Sequence, residues 1–258
     1  MRRPMAQLAP LLLALMLGVS PTEAQEAPTG DLGLMYTVEV LPGHTFDFED
    51  GIKQYWEDVA EAGGTMSWAV FQIQLGPRSG QYAILSTDRS GADLEAPEGD
   101  AEAIQESFRR NLTPHMQSYE GSMIRRLVDL GFWTPEQELA PMYQVIRQWV
   151  APGSDAAVSH YFGQIREAFE ARGGARHSIW RTAMGSTGDE WYISVPRDSF
   201  SEFDEYNPNW LPSMLAEHFG HAGMQAIVES VDGLFLKQTN ELFVLRRDLS
   251  FGLPDPGM

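Results

Sequence analysis

One stretch of this chain is written twice. Within it, Pro42-Gly43 matches Pro152-Gly153 and Gly63-Gly64 matches Gly173-Gly174, both at an offset of 110 and with no gap between. The duplicated stretch runs from Leu41 to Ile84 and again from Val150 to Ile193. After the first Pro-Gly the apolar residues Phe48, Ile52, Tyr55 and Val59 follow, and after the second Val158, Phe162, Ile165 and Phe169. That spacing is the stripe of a helix with one buried face. The Gly pairs stop it, because glycine accepts the left-handed backbone of a helix C-cap. Strand pairs follow, Trp68–Leu75 with Gln81–Ser86 and Ser178–Met184 with Trp191–Val195. In each copy a Gly-rich loop separates the pair, Gly76–Gly80 and then Gly185–Gly188, as in a hairpin.

The duplication divides the chain into two units of ordinary domain size, residues 33–140 and 141–250. A segment at 1–24 precedes them, with a lead-in at 25–32 and a tail at 251–258. In the first segment Arg2-Arg3, the apolar run Leu8–Val19 and Thr22-Glu23-Ala24 form the three-part pattern of a secretory signal. Export to a periplasm or the exterior is expected, with cleavage after Ala24 and no membrane insertion afterwards. The chain has no cysteine, which excludes disulfides, thiolate catalysis and iron–sulfur clusters. Its 36 acidic against 18 basic residues leave a net charge of −18. Nucleic acid is excluded as a partner, since replacing phosphate counterions needs an excess of Lys and Arg.

Thr45 is expected to cap the first helix, with Asp47, Glu49 and Asp50 in its first turn, and Ser154 with Asp155 repeat the arrangement. In the strand Trp68–Leu75 one alternating set, Ala69, Phe71, Ile73 and Leu75, is wholly apolar and is expected to meet the helices. Trp68, Val70, Gln72 and Gln74 would then form a sheltered second face. A long helical region is expected at 101–130, interrupted near Pro114, and another at 201–231, interrupted near Pro208 and Pro212. Glu241–Leu249 reads as the last strand. Strand counting leaves Met142–Trp149 to serve either one sheet or two.

A strand ending in Pro-Gly, a helix ending in Gly-Gly, a Trp-bearing strand and a hairpin resemble the dimeric α/β-barrel superfamily of ferredoxin-like units. Val38-Glu39-Val40-Leu41-Pro42-Gly43 and Gly63-Gly64-Thr65-Met66-Ser67-Trp68 are most similar to its NIPSNAP and antibiotic-biosynthesis-monooxygenase-like domains. The resemblance implies an α+β fold, two tandem ferredoxin-like repeats whose antiparallel sheets face each other as a barrel with helices outside. It also implies a space between the sheets and a spread of activities, among them cofactor-independent oxygenation, haem chemistry and no catalysis.

Candidate site residues follow. His115 and His218 align at an offset of 103. Some haem-binding members of the superfamily carry an axial His on the helical part of the unit, so the resemblance makes either a candidate haem ligand. No local motif identifies it, and inherited surface histidines leave the same trace. His218 and His221 could share a helix face as a metal pair, but no third ligand lies one turn on. Tyr36 and Tyr143 sit in matched strands, and Tyr143, Arg147 and Trp149 share one face by alternation. Those three would supply a hydrogen bond, a fixed cation and an aromatic wall for an anionic or carbonyl-bearing ligand. Trp68 joins them and Tyr36 as candidate contacts for a small apolar or amphipathic molecule held between the sheets. The plainer reading has the aromatics filling the barrel and Arg147 paired with a carboxylate. No resident cofactor is expected, ligand binding is expected to survive without His115 and His218, and the assembly is a monomer or homodimer. A small-molecule binder, a barrel monooxygenase or haem enzyme, and a structural protein with a filled barrel all remain open.

Overall fold

The structure, a computed structural model, describes residues 30–96, 99–132, 139–174, 176–186, 188–204 and 209–254. The expected signal segment and Pro208 lie outside them. The first half runs β1 (Leu32–Val40), α1 (Thr45–Glu61), β2 (Ala69–Leu75), β3 (Tyr82–Arg89), the short α2 (Gly91–Glu95), α3 (Ala101–Asn111) and β4 (Met116–Arg126). The second runs β5 (Met142–Val150), α4 (Asp155–Glu170), β6 (Ser178–Met184), β7 (Asp189–Arg197), α5 (Trp210–Ser230) and β8 (Phe235–Leu245).

Three of the four residues in each stripe read from the sequence are buried, with Trp56 taking the place of the partly buried Tyr55 and Ala168 that of the partly buried Phe169. α1 buries Phe48, Ile52, Trp56 and Val59, and α4 buries Val158, Phe162, Ile165 and Ala168. Gly63 ends α1 at φ 83°, a left-handed conformation costly for any residue with a Cβ. The start of α1 differs from expectation. Its N-cap is His44, Thr45 already lies within the helix, and no side chain caps it; the backbone instead turns through His44 N–H bonded to the Leu41 carbonyl.

All strand pairs are antiparallel, and the eight strands close into a barrel in the order β1-β3-β2-β8-β5-β7-β6-β4. Within each half the order is the same, β4-β1-β3-β2 and β8-β5-β7-β6, and the halves join at β2·β8 and β4·β6. Closure leaves no open sheet edge.

Three expectations are corrected here. The helical region at 101–130 ends at Asn111, because Pro114 sits in a 3₁₀ turn over Thr113–His115 and the chain then extends as β4. β4 escaped notice because its residues Met116–Glu120 are mostly polar and exposed, so no apolar alternation marks them. It supplies the first half's closing strand, which frees β5 to pair with β7 and β8 alone. The last strand likewise begins earlier, at Phe235. Finally, the faces of β2 are reversed: Ala69, Phe71 and Ile73 point between the sheets with Met35, Tyr143, Val145 and Phe243. Val70 and the partly buried Trp68 meet α1 instead, beside Phe48, Ile52 and Trp56. At β2 the barrel interior is an apolar cluster, so the wholly apolar set turns inward there. Each helix layer is aromatic enough to receive a Trp, which stacks on Trp56 at 6.3 Å.

A charged mouth on an apolar barrel as the candidate site

The strand register grades the barrel interior from apolar to charged. Along β5 the inward residues are Tyr143, Val145, Arg147 and Trp149; opposite them on β8 stand Phe243, Glu241, Thr239 and Lys237, and on β7 Pro196, Ser194, Tyr192 and Glu190. Tyr143 closes the apolar end, its hydroxyl accepting the Ala140 N–H at 3.0 Å and its ring edge-on to Phe71 at 5.6 Å. Burial pushes its phenol above the ordinary tyrosine value.

Two ion pairs occupy the other end. Arg147 donates Nε to Glu190 Oε2 at 2.8 Å and brings Nη2 to 2.6 Å of the same oxygen. The Glu190 side chain is only 4% exposed. Tyr192 and Ser186 hydroxyls donate to it as well, both at 2.7 Å. Burial pushes the Glu190 carboxyl up, but those hydroxyls and the Arg147 guanidinium outweigh it and hold the group below the usual carboxylate range. The same burial raises the Tyr192 phenol, so it remains a neutral donor. Arg78, from the β2–β3 hairpin, grips Glu241 through Nε and Nη2 and reaches the Thr37 hydroxyl with Nη1 at 3.2 Å.

The two carboxylates are saturated and Arg147 is not. Its Nη1 makes no hydrogen bond among the described residues, and its guanidinium lies 4.4 Å over the Trp149 ring. Lys237 covers Trp149 too, its Nζ 4.5 Å from the ring centroid. Beside Arg147 in the register, the Thr239 hydroxyl is buried without a partner among the described residues. A buried hydroxyl left unpaired costs about 1–3 kcal/mol and marks a place where a bound polar group or water completes the bonding. The wall formed by β5 and β8 thus offers two cations, one aromatic plate and spare hydrogen-bonding capacity, above an apolar interior in which Phe71, Val145 and Phe243 pack together.

The structure sets Tyr143, Arg147 and Trp149 on one inward face of β5, Tyr143 at the apolar end and Arg147 with Trp149 at the charged end, and the carboxylate partner of Arg147 is Glu190. Tyr36 is a correction. It faces the helices rather than the barrel interior, packed on Trp68 at 5.8 Å and against Gly121. Trp68 is on that outer face with it. Arg78, Glu190, Thr239, Lys237 and Glu241 were missed, though Glu190 and Glu241 are acids set in alternation with Tyr192 and Phe243, a signal legible in the sequence.

The histidines also fall out differently. The Leu41 N–H bonds the His115 carbonyl, and the matching Ala151 N–H bonds the Leu234 carbonyl. His115 therefore corresponds to Leu234, not to His218. His218 lies exposed on α5, 3.2 Å from Glu167. Gly220, at φ 73° and non-helical, stands between His218 and His221, so the two do not share a helix face. The gap between α5 and its sheet is filled by Phe162 stacked on Trp191 with Met214, Leu215 and Ile227. At His218, therefore, no haem-sized gap opens between α5 and its sheet among the described residues, while His115 faces the His44 ring in the chain's first half, the two Nδ1 atoms 3.3 Å apart.

No family model and no curated protein matches the sequence. Solved structures do resemble it in shape. A proposed monooxygenase from Lactobacillus acidophilus NCFM superposes with a TM-score of 0.53 at 10% identity, covering 85% of this chain and 95% of that one. An anthrone oxidase-like protein superposes at 0.52 with 19% identity, covering 90% and 98%. Chlorite dismutase from Candidatus Nitrospira defluvii reaches 0.47 at 11%, covering 84% and 92%, too low to bear on chemistry. At these identities the likeness is one of fold: the chain shares the α+β architecture of these structures, with a closed antiparallel barrel of eight strands among the described residues.

Proposed function

We propose that this protein binds a small amphipathic anion in its barrel, with the apolar part among Phe71, Val145 and Phe243 and the anionic head at Arg147 and Lys237. The observation that carries this reading is that Arg147 Nη1 and the Thr239 hydroxyl, neighbours in the register, have no hydrogen-bond partner among the described residues, in a chain with few cations. A carboxylate there would accept from both and complete the bonding. Calorimetric titration with medium-chain and aromatic carboxylates tests it: saturable binding supports the reading, and heats of dilution alone refute it.

A second reading, oxygenation of a bound aromatic molecule, is favoured by the fold shared with two proteins named for oxidation. The interior gives it less support, since Glu190 is already engaged by Arg147, Tyr192 and Ser186 and is a poor base. Oxygen uptake with anthrone as probe decides it. The identical strand order of the two halves supports two tandem ferredoxin-like repeats, and Val38–Gly43 with Gly63–Trp68 the finer NIPSNAP-like resemblance. Export rests on the pattern at Arg2–Ala24, and a small-molecule ligand with a monomeric or homodimeric assembly completes the proposal.

A further inference from the structure

The rim of the first half gathers three ligating side chains apart from the barrel interior. His44 caps α1, Asp47 lies one turn on, and His115 ends the 3₁₀ turn before β4. The Nδ1 atoms of the two histidines are 3.3 Å apart, and Asp47 Oδ2 is 3.6 Å from the His44 Nδ1. All three ligand atoms fall within 4.8 Å of one another. We infer that His44, Asp47 and His115 form a site for a divalent transition metal ion of the Zn²⁺ class.

The distances carry the argument. Two imidazole nitrogens bound to one tetrahedral Zn²⁺ at about 2.0–2.1 Å stand about 3.3–3.4 Å apart, which is the separation found. Two Nδ1 atoms facing each other can share one proton, whereas a metal ion uses both lone pairs and the carboxylate as well. Imidazole and carboxylate ligands without thiolate suit Zn²⁺ or Cu²⁺ and not Ca²⁺. The site is also held from behind. The Leu41 N–H bonds the His115 carbonyl at 2.9 Å and the Leu41 carbonyl accepts the His44 N–H at 3.0 Å, so one backbone unit positions both rings before any ion arrives. The positive end of the α1 dipole opposes a cation here, and the Asp47 charge offsets it. Half-exposed His44 and exposed Asp47 leave an open side for water as the fourth ligand.

The experiment is titration of untagged, chelator-treated full chain with Zn²⁺ alone, in competition with a chromophoric chelator. One ion per chain is expected. Affinity should fall by about tenfold or more in His44→Ala and in His115→Ala, fall less in Asp47→Asn, and stay unchanged in His160→Ala. Zn²⁺ should raise the melting temperature of the wild type and not of His115→Ala, with circular dichroism in chelator confirming that each variant folds. Should either alanine variant fail to fold, X-ray absorption of the Zn²⁺-loaded wild type must show two imidazoles. No saturable binding, binding that survives both histidine substitutions, or an absorption spectrum without imidazole overturns the assignment.

Discussion

Arg147 and Glu190 meet inside the barrel at 2.6 Å, joined across neighbouring strands β5 and β7, with the Glu190 side chain 4% exposed and that of Arg147 17%. Neither charge would be tolerated alone at that depth. Removing one partner of a buried pair costs about 3–5 kcal/mol, because the survivor stays desolvated and uncompensated. Arg147 retains some contact with solvent, so Glu190→Ala is expected near the lower end of that range, read as a urea midpoint shift. Replacing both residues together with leucine and methionine is expected to recover most of the loss.

The same pair sets an acid limit. Glu190 is held below its unfolded value, so its contribution is complete above the ordinary carboxylate pKa of about 4.3 and is lost as pH falls through its lower folded value. Glu49, held low by its hydrogen bonds from Arg246, acts in the same direction. Unfolding free energies of wild type and Glu190→Gln are therefore expected to differ most near neutral pH and to converge below about pH 4.

Two glycines in helices should respond oppositely to the same substitution. Glycine inside a helix ordinarily costs about 0.5–1 kcal/mol relative to alanine. At Gly163 in α4 an added Cβ meets nothing within 4 Å, so Gly163→Ala should stabilise by about that amount. At Gly51 in α1 the Cβ would lie 2.2 Å from the Asn111 carbonyl oxygen at the end of α3. A backbone oxygen cannot swing aside, so overpacking wins and Gly51→Ala should destabilise by about 1–3 kcal/mol. Thermal melts of both variants check the sign.

Trp56 ties the C-terminal segment to α1. Its indole N–H donates to the Leu249 carbonyl at 2.7 Å and its ring stacks on Phe251 at 5.4 Å. Trp56→Phe keeps an aromatic ring but leaves that carbonyl unpaired. A loss of about 1–3 kcal/mol is expected, with faster proteolysis of the segment after β8 as the local readout.

What the sequence revealed and what it hid follow physical lines. The helices α1 and α4 and the Pro-Gly and Gly-Gly punctuation were legible because periodicity and glycine conformation are local. The shared face of Tyr143, Arg147 and Trp149 was legible for the same reason. The orientation of β2 was not, because alternation separates two faces without saying which meets the other sheet. β4 was hidden by its exposed, polar first half, which only pairing with β1 and β6 makes a strand. The meeting of His44 with His115 depends on Leu41 bridging two distant segments, and no spacing within either segment reports it.

The central claim is that Arg147 recognises a negative head group above an apolar interior. Its most direct test is the ratio of affinities for decanoate and decanamide, measured by calorimetry or by quenching of tryptophan fluorescence beside Arg147. Wild type should prefer the carboxylate by about tenfold or more, as befits a hydrogen bond to a charged group. In the folded double variant Arg147→Met/Glu190→Leu the preference should fall several-fold, to what Lys237 alone supplies, while the alkyl chain still binds. Equal affinity for acid and amide in the wild type, or a preference that the double substitution leaves undiminished, would contradict the account.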